Sequence, residues 1–166
     1  MRHATRDDLP GLEWDGQFTH FRRLYAQAFR RAEEGEYVLW VAELPPTGLI
    51  GQIFVQMENH QTESADGHSS AYIYSFRVRP PYRGTGIGTL LLQTAETDLG
   101  KRSYHWITLN VGRDNPDARR LYERLGYIVV ADEPGRWSYL DHNGHRRHVH
   151  EPSWRMGKKL LPVSSC

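Results

Sequence analysis

The chain has 166 residues, 39% apolar and 25% charged, with 21 Lys+Arg against 20 Asp+Glu and a formal charge of +1. That length holds one core of ordinary size without disulfides, and the single cysteine, Cys166, is the last residue, so neither an intrachain disulfide nor a well-anchored catalytic thiol is expected. Balanced charge argues against a general nucleic-acid binder; no apolar run nears the ~20 residues that cross a bilayer, and the start lacks a signal peptide's apolar segment, so a cytoplasmic location and small-molecule or local protein chemistry are expected.

Residues 2–5 read as a short strand, and Asp7-Asp8 before Leu9-Pro10 as the acidic start of a helix. Phe18, Phe21, Leu24, Tyr25, Ala28 and Phe29 recur at spacings of three and four, which predicts a second helix with one buried face, stopped at Gly35. Residues 37–44 and 49–57 flank Pro45-Pro46-Thr47-Gly48 and predict an antiparallel hairpin, followed by a polar loop over 59–70. Residues 71–78 predict a strand with Ile73, Ser75 and Arg77 on one face and Tyr72, Tyr74, Phe76 and Val78 on the other, ended by Pro80-Pro81.

Leu91, Ala95 and Leu99, with Ile87, Leu90 and Leu92, give an amphipathic helix that ends at Gly100, and residues 106–111 predict the next strand. Asn115 caps the following helix, with Pro116 at its first position, Ala118, Leu121, Tyr122 and Leu125 as its apolar stripe, and Gly126 past its end. Residues 127–131 predict a strand, and 137–141 with 145–154 a hairpin closed by Asn143-Gly144. With no internal repeat and no linker-like stretch, this order predicts a single α+β (α/β layered) domain over residues 1–160 and a short tail over 161–166.

Arg83-Gly84-Thr85-Gly86-Ile87-Gly88-Thr89 lies between a strand and a helix, where backbone N–H groups and the positive helix end hold anions such as phosphate. A turn whose glycines only permit tight geometry is the alternative. The spacing fits neither a nucleotide-hydrolase loop, since no lysine follows a glycine in the required place, nor a dinucleotide fingerprint, since position 89 is threonine.

Arg83, Gly86 and Gly88 do fit R-x-x-G-x-G, and here the sequence resembles the GNAT superfamily of acetyl-CoA-dependent N-acyltransferases. Asn115-Pro-Asp-Ala-Arg-Arg-Leu-Tyr-Glu-Arg-Leu-Gly-Tyr127 is similar to the family's second signature, an N-x-x-A-x-x-L-Y-x-x-x-G-[FY] helix. Val78-Arg-Pro80, the helix through Leu90 and Leu99, Leu109-Asn-Val111, the opening Arg2 to Leu9 and the hairpin from Val41 to Gly51 match its layout as well. The resemblance implies a mixed, splayed sheet of about six or seven strands flanked by about four helices. It implies transfer of acetyl from acetyl-CoA to a primary amine by direct attack in a ternary complex, without a metal, on an amine-bearing small molecule or peptide, and it is compatible with a homodimer. A non-catalytic module that binds acetyl-CoA is the competing expectation.

By the same resemblance, the backbone amides of Arg83, Gly84, Thr85, Gly86, Ile87, Gly88 and Thr89 cradle the coenzyme A pyrophosphate. Phe76 and Val78 contact the pantetheine arm, with the Val78 N–H as oxyanion donor, and Asn115 and Arg119 contact the arm and phosphates. Tyr122 protonates the departing thiolate; read on its own, a tyrosine on an apolar stripe is a core residue. Where many members carry a carboxylate before the loop, this chain has Tyr74-Ser75, so the base stays open among a water chain, Glu43, Glu58 and a histidine. Four of the nine histidines fall between Asp141 and Glu151. His148 and His150 share a strand face, and a metal pair, a solvated hairpin and an acceptor-site wall all remain open, with Trp14, Trp137, Tyr139 and Trp154 as further wall candidates.

Overall fold

A computed structural model describes residues 1–57 and 69–161. The predicted loop over 59–70 and the tail at 161–166 fall almost wholly outside the described residues, as do Glu58 and Cys166. The described strands are β1 (Arg2–His3), β2 (Tyr37–Leu44), β3 (Gly48–Met57), β4 (Ser70–Val78), β5 (Trp106–Gly112), β6 (Ile128–Glu133), β7 (Arg136–Leu140), β8 (Arg146–His150) and β9 (Ser153–Lys159). The helices are α1 (Arg22–Glu33), α2 (Ile87–Lys101) and α3 (Pro116–Arg124), with four short 3-10 turns.

Seven strands form one mixed sheet in the order β1-β2-β3-β4-β5-β9-β6, and β7 with β8 form a separate two-stranded sheet. Both faces of the large sheet are covered. Leu39, Val41 and Phe54 pack on one side with Tyr25 and Ala28 of α1, while Val38, Ile53, Val55 and Ile73 pack on the other with Leu91, Leu92 and Leu99 of α2. This two-sided burial is why β2 and β3 read as nearly continuous apolar runs instead of alternating ones. Among the described residues no helix is long and apolar enough to cross a membrane.

Several elements differ from the sequence reading for identifiable reasons. The first expected helix is a pair of 3-10 turns at Arg6–Asp8 and Pro10–Glu13, and the second, expected from Phe18, begins as a 3-10 turn at Thr19–Phe21 before α1. Pro10 lacks the N–H that a longer helix would use, and Trp14 and Asp15 adopt positive φ, which breaks any α-helical run there. The expected long strand over 145–154 divides at Pro152. Its first part stays in the hairpin as β8, and the chain then enters the main sheet as β9, between β5 and β6.

The strand β4 carries the correction that matters most for the site. Gln52 pairs with Arg77 and Phe54 with Tyr74, so three steps on β4 face two on β3, and Ser75 sits in the left-handed region at φ 49°. One extra residue reverses the alternation. Ile73, Phe76 and Val78 therefore share the α2 side, whereas Tyr74 and Arg77 share the α1 side. The bulge is held by its own hydroxyl: Ser75 Oγ accepts from Gln52 Nε2 at 3.0 Å and from Arg77 Nη1 at 2.9 Å, which satisfies the amide of a fully buried glutamine.

Candidate active site

The parallel ladder between β4 and β5 runs only from Ser70–Trp106 to Ile73–Leu109. Beyond it β4 stays with β3 and β5 stays with β9, so the sheet opens. A cleft of about 790 Å³ occupies this opening, reached by Tyr72, Phe76, Arg77, Asn110 and Tyr122 among others. A depression of about 520 Å³ on the β7–β8 hairpin, beside His148 and His150, is the other concavity described, and among the described residues no three His, Cys, Asp or Glu side chains converge to hold a metal.

The glycine segment leaves the end of β4 through a turn at Pro80–Tyr82 and enters α2 at Gly86. Gly84 at φ 76° and Gly86 at φ 89° hold backbone conformations that L side chains rarely adopt, and a Cβ at either would meet nothing within 4 Å. Gly88 is different. A Cβ there would lie 3.6 Å from Val78 and 3.7 Å from Phe76, so this glycine sits against the strand, at ordinary contact distance. Arg83 Nε donates to the Val78 carbonyl at 2.9 Å, and Thr85 Oγ1 donates to the Tyr82 carbonyl, which together tie the loop to the strand end. The Arg83 amide donates to Pro80 at 3.2 Å, so among the seven expected donors this one is already used. Among the described residues no side chain caps α2, and the amides of Ile87, Gly88 and Thr89 have no intrahelical partner, which leaves a positive helix start with open space beside Gly84 and Gly86.

Arg79 donates its amide to Ile50 of β3 at 2.8 Å; strand alternation turns the preceding Val78 amide to the opposite edge, toward the opening. Tyr122 borders the same opening, its ring centroid 6.3 Å from Phe76 and 6.0 Å from Tyr127. Burial pushes its hydroxyl up to about 12, and among the described residues that hydroxyl has no hydrogen-bond partner. Tyr127, five residues on, is spent structurally, since its hydroxyl donates to Glu96, which also takes Lys158 at 3.0 Å.

Residues 2–127 match the profile of the Acetyltransferase (GNAT) family. The chain belongs to this family. A relative described as an uncharacterised N-acetyltransferase, MJ1207 of Methanocaldococcus jannaschii, is 33% identical over 149 residues, covering 76% of this chain and 59% of that protein. The chain spans 60% or less of the length of the curated relatives it matches. Among solved structures, NAA60 of Arabidopsis thaliana in complex with acetyl-CoA superposes with a TM-score of 0.74 at 21% identity, over 96% of this chain and 97% of that one. The ribosomal-protein-S18-alanine N-acetyltransferase of Escherichia coli gives 0.72 at 18% identity, over 99% and 95%. Both share the GNAT fold with this chain.

Within that GNAT frame the expected residues separate into two groups. Phe76 and Tyr122 line the cleft, and Gly88 of the glycine segment lies against Phe76 and Val78. Asn115 and Arg119 have local roles: Asn115 Oδ1 accepts from the Ala118 amide at 3.2 Å as the α3 cap, and Arg119 pairs with Glu123 at 2.7 Å while lying 5.3 Å over Trp154. Of the base candidates, Glu43 is paired with Arg2 at 3.0 Å on β2, away from the cleft lining. Of the four wall aromatics, Trp137 lines the cleft and Tyr139 packs on Phe21 at 5.1 Å, whereas Trp14 is buried beside Phe18 and Trp154 lies under Arg113.

Two features escape a reading of the sequence alone. Asn110 Nδ2 donates to the Tyr72 hydroxyl at 3.2 Å, and Arg155 joins Asn110 to Glu133 behind it. Arg77 reaches the cleft because the bulge turns it there, and simple alternation would have placed it on the other face.

Proposed function

We propose that the chain transfers the acetyl group of acetyl-CoA to a primary amine by direct attack of that amine within a ternary complex. The observation that carries this reading is an opened pair of parallel strands whose cleft is lined by Phe76 and a protonated tyrosine, with an uncapped, glycine-bracketed helix start packed against Phe76 and Val78. Acetyl-CoA supplies a thioester whose carbonyl carbon the amine nitrogen attacks, forming the amide bond as the carbon–sulfur bond breaks and the thiolate leaves.

The remaining steps belong to this chain. The amides of Gly84 to Thr89 bind the pyrophosphate, and the absence of a Cβ at Gly84 and Gly86 leaves that surface clear. The unpaired strand edge from Phe76 to Val78 aligns the pantetheine arm, and the Val78 N–H donates to the oxygen on which charge develops. Tyr122 gives its proton to the leaving sulfur, a strongly basic group when it departs without one. No carboxylate of β4 faces the amine, and of the two glutamates that line the cleft Glu133 is held by Arg155, so the amine's surplus proton passes to water or to Glu151.

That last feature also supports a second reading, a module that binds acetyl-CoA without turnover. Thiol release over a panel of amines separates the two. Turnover of any amine supports the transferase; tight acetyl-CoA binding with no turnover across the panel sinks it.

A further inference from the structure

The cleft contains a guanidinium that pairs with no acidic side chain among the described residues. Arg77 Nη1 donates to the Tyr25 hydroxyl at 3.1 Å and to Ser75 Oγ at 2.9 Å. Its guanidinium carbon lies 4.3 Å over the Phe18 ring and 5.5 Å from the Phe21 ring centroid. All four neighbours are neutral. Among the described residues no Asp or Glu pairs with Arg77, whereas Arg155 in the same cleft is neutralised by Glu133 at 2.8 Å and Arg79 by Asp15 at 3.1 Å. Arg136 also lines the cleft without an acidic partner, but it is exposed and meets water. Arg77 is only half exposed, where water compensates a charge poorly.

The geometry of the fork is specific. Hydrogen bonds to Tyr25 and Ser75 use Nη1 and hold the guanidinium over the Phe18 ring, while Nε and Nη2 make no hydrogen bond among the described residues. That free edge has the spacing of a carboxylate's two oxygens. We infer that Arg77 anchors a carboxylate carried by the acceptor, so the site takes small amines that bear a carboxylate, free amino acids above all, and disfavours diamines and polyamines. The inference rests on the acetyltransferase reading. Burial, and then the charge of Arg77, hold the His20 imidazole below its usual range, so His20 stays neutral near pH 7 and adds no charge beside the guanidinium. A second ammonium group on the acceptor would meet that charge and be repelled; a carboxylate would be drawn to it.

The test is thiol release from acetyl-CoA with matched acceptors: lysine, lysinamide and cadaverine, then phenylalanine, phenylalaninamide and phenethylamine. The peptide amides Ala-Glu-Ala and Ala-Gln-Ala are added to distinguish a side-chain carboxylate from a free α-carboxylate. The wild type is expected to favour at least one amino acid over both its amide and its decarboxylated amine by about 30-fold in kcat/KM. In Arg77→Gln that ratio should fall to about one, chiefly through KM of the acid, and Arg77→Lys should keep only part of it, because a point charge does not replace the fork. If Arg77→Gln fails to fold by circular dichroism, the wild-type ratios decide alone. Equal rates for acids and amides, a preference for diamines, or a preference confined to the peptide pair overturns the inference and leaves the transferase reading intact. No turnover of any acceptor removes both.

Discussion

Asn110 Nδ2 donates a hydrogen bond to the Tyr72 hydroxyl at 3.2 Å, across the point where the parallel ladder of β4 and β5 has just ended. The orientation of the amide is set from its far side, because Oδ1 accepts from Arg155 Nε at 3.5 Å and Arg155 is in turn held by Glu133 at 2.8 Å. The Tyr72 oxygen is thus an acceptor toward the sheet, and its own proton is left for the cleft. Burial pushes this phenol above its usual value, so it remains a neutral donor at physiological pH.

Removing that hydroxyl should weaken the acceptor step alone. Tyr72→Phe is expected to lower kcat/KM for the amine by about tenfold, the worth of one hydrogen bond at a partly enclosed site, with the Kd of acetyl-CoA unchanged by calorimetry. Asn110→Ala should give a smaller loss in the same direction. The double variant should be no worse than Tyr72→Phe, since the two side chains act through one bond. Losses that add fully across the double variant would show that the pair is not a unit.

Tyr122 differs from Tyr72 in having no partner for its hydroxyl among the described residues and in a pKa pushed up to about 12 by burial alone. With its folded value above the ~10 of a free phenol, the proton is present throughout the range from pH 6 to 9. Tyr122→Phe should therefore lower kcat by about 100-fold, the scale of a lost general acid, with little change in acetyl-CoA affinity. The alkaline limb of the wild-type rate profile should show no ionisation of this group below about pH 11. An unchanged kcat would take Tyr122 out of the mechanism and return it to the apolar stripe of α3.

What the sequence made legible, and what it hid, follows from the range of each interaction. Asn115, Pro116 and Gly126 bracket α3, and Gly35 follows α1 at φ 81°, because caps and left-handed stops are local and leave local marks. The glycine segment was readable for the same reason. The reversal of faces on β4 was not, since it depends on Gln52, which lies on another strand and needs the Ser75 hydroxyl to satisfy its buried amide. Nor was the placement of β9 between β5 and β6, a pairing between segments far apart in the chain whose register is fixed by burial of Met156 and not by any turn signal. Arg77, Tyr72 and Asn110 enter the cleft through these non-local choices, so their roles become visible only once the sheet is assembled.

Gly86 and Gly88 should respond differently to the same substitution. At Gly86 the positive φ makes any Cβ strained whatever the space, so Gly86→Ala should cost about 1–2 kcal/mol of stability and shift the start of α2, weakening acetyl-CoA binding. Gly88 lies inside the helix, and its added methyl would meet Val78 and Phe76 at 3.6 and 3.7 Å, so Gly88→Ala should leave stability within about 0.5 kcal/mol of wild type. Differential scanning calorimetry of the free protein, followed by acetyl-CoA titration, separates the two effects. If Gly88→Ala is as stable as the wild type yet binds acetyl-CoA at least tenfold more weakly, the requirement for glycine comes from the ligand's approach and not from the fold. Unchanged binding would assign Gly88 to helix packing.

The hairpin that carries Trp137 to the cleft is held at its turn by Asp141, whose carboxylate is wholly enclosed. Burial opposes its ionisation, but the amides of His145 and Asn143, each at 2.9 Å, and the Arg147 guanidinium at 2.8 Å outweigh it and hold the carboxyl down at about 2. Because the folded value lies below the unfolded one, the carboxylate contributes stability that is present above about pH 4 and lost as the pH falls through about 2. Asp141→Asn keeps the shape of the side chain but turns an N–H toward either an amide or Arg147. Its Tm should fall below that of the wild type at pH 6, and the gap should close as both are measured toward pH 2. The same variant should raise KM for the amine while leaving acetyl-CoA affinity unchanged, since Trp137 lines the cleft and packs on Phe21 on the α1 face of the sheet, whereas the glycine segment opens α2 on the opposite face. A Tm difference that persists unchanged at pH 2 would mean that the charge on Asp141 is not what holds the turn.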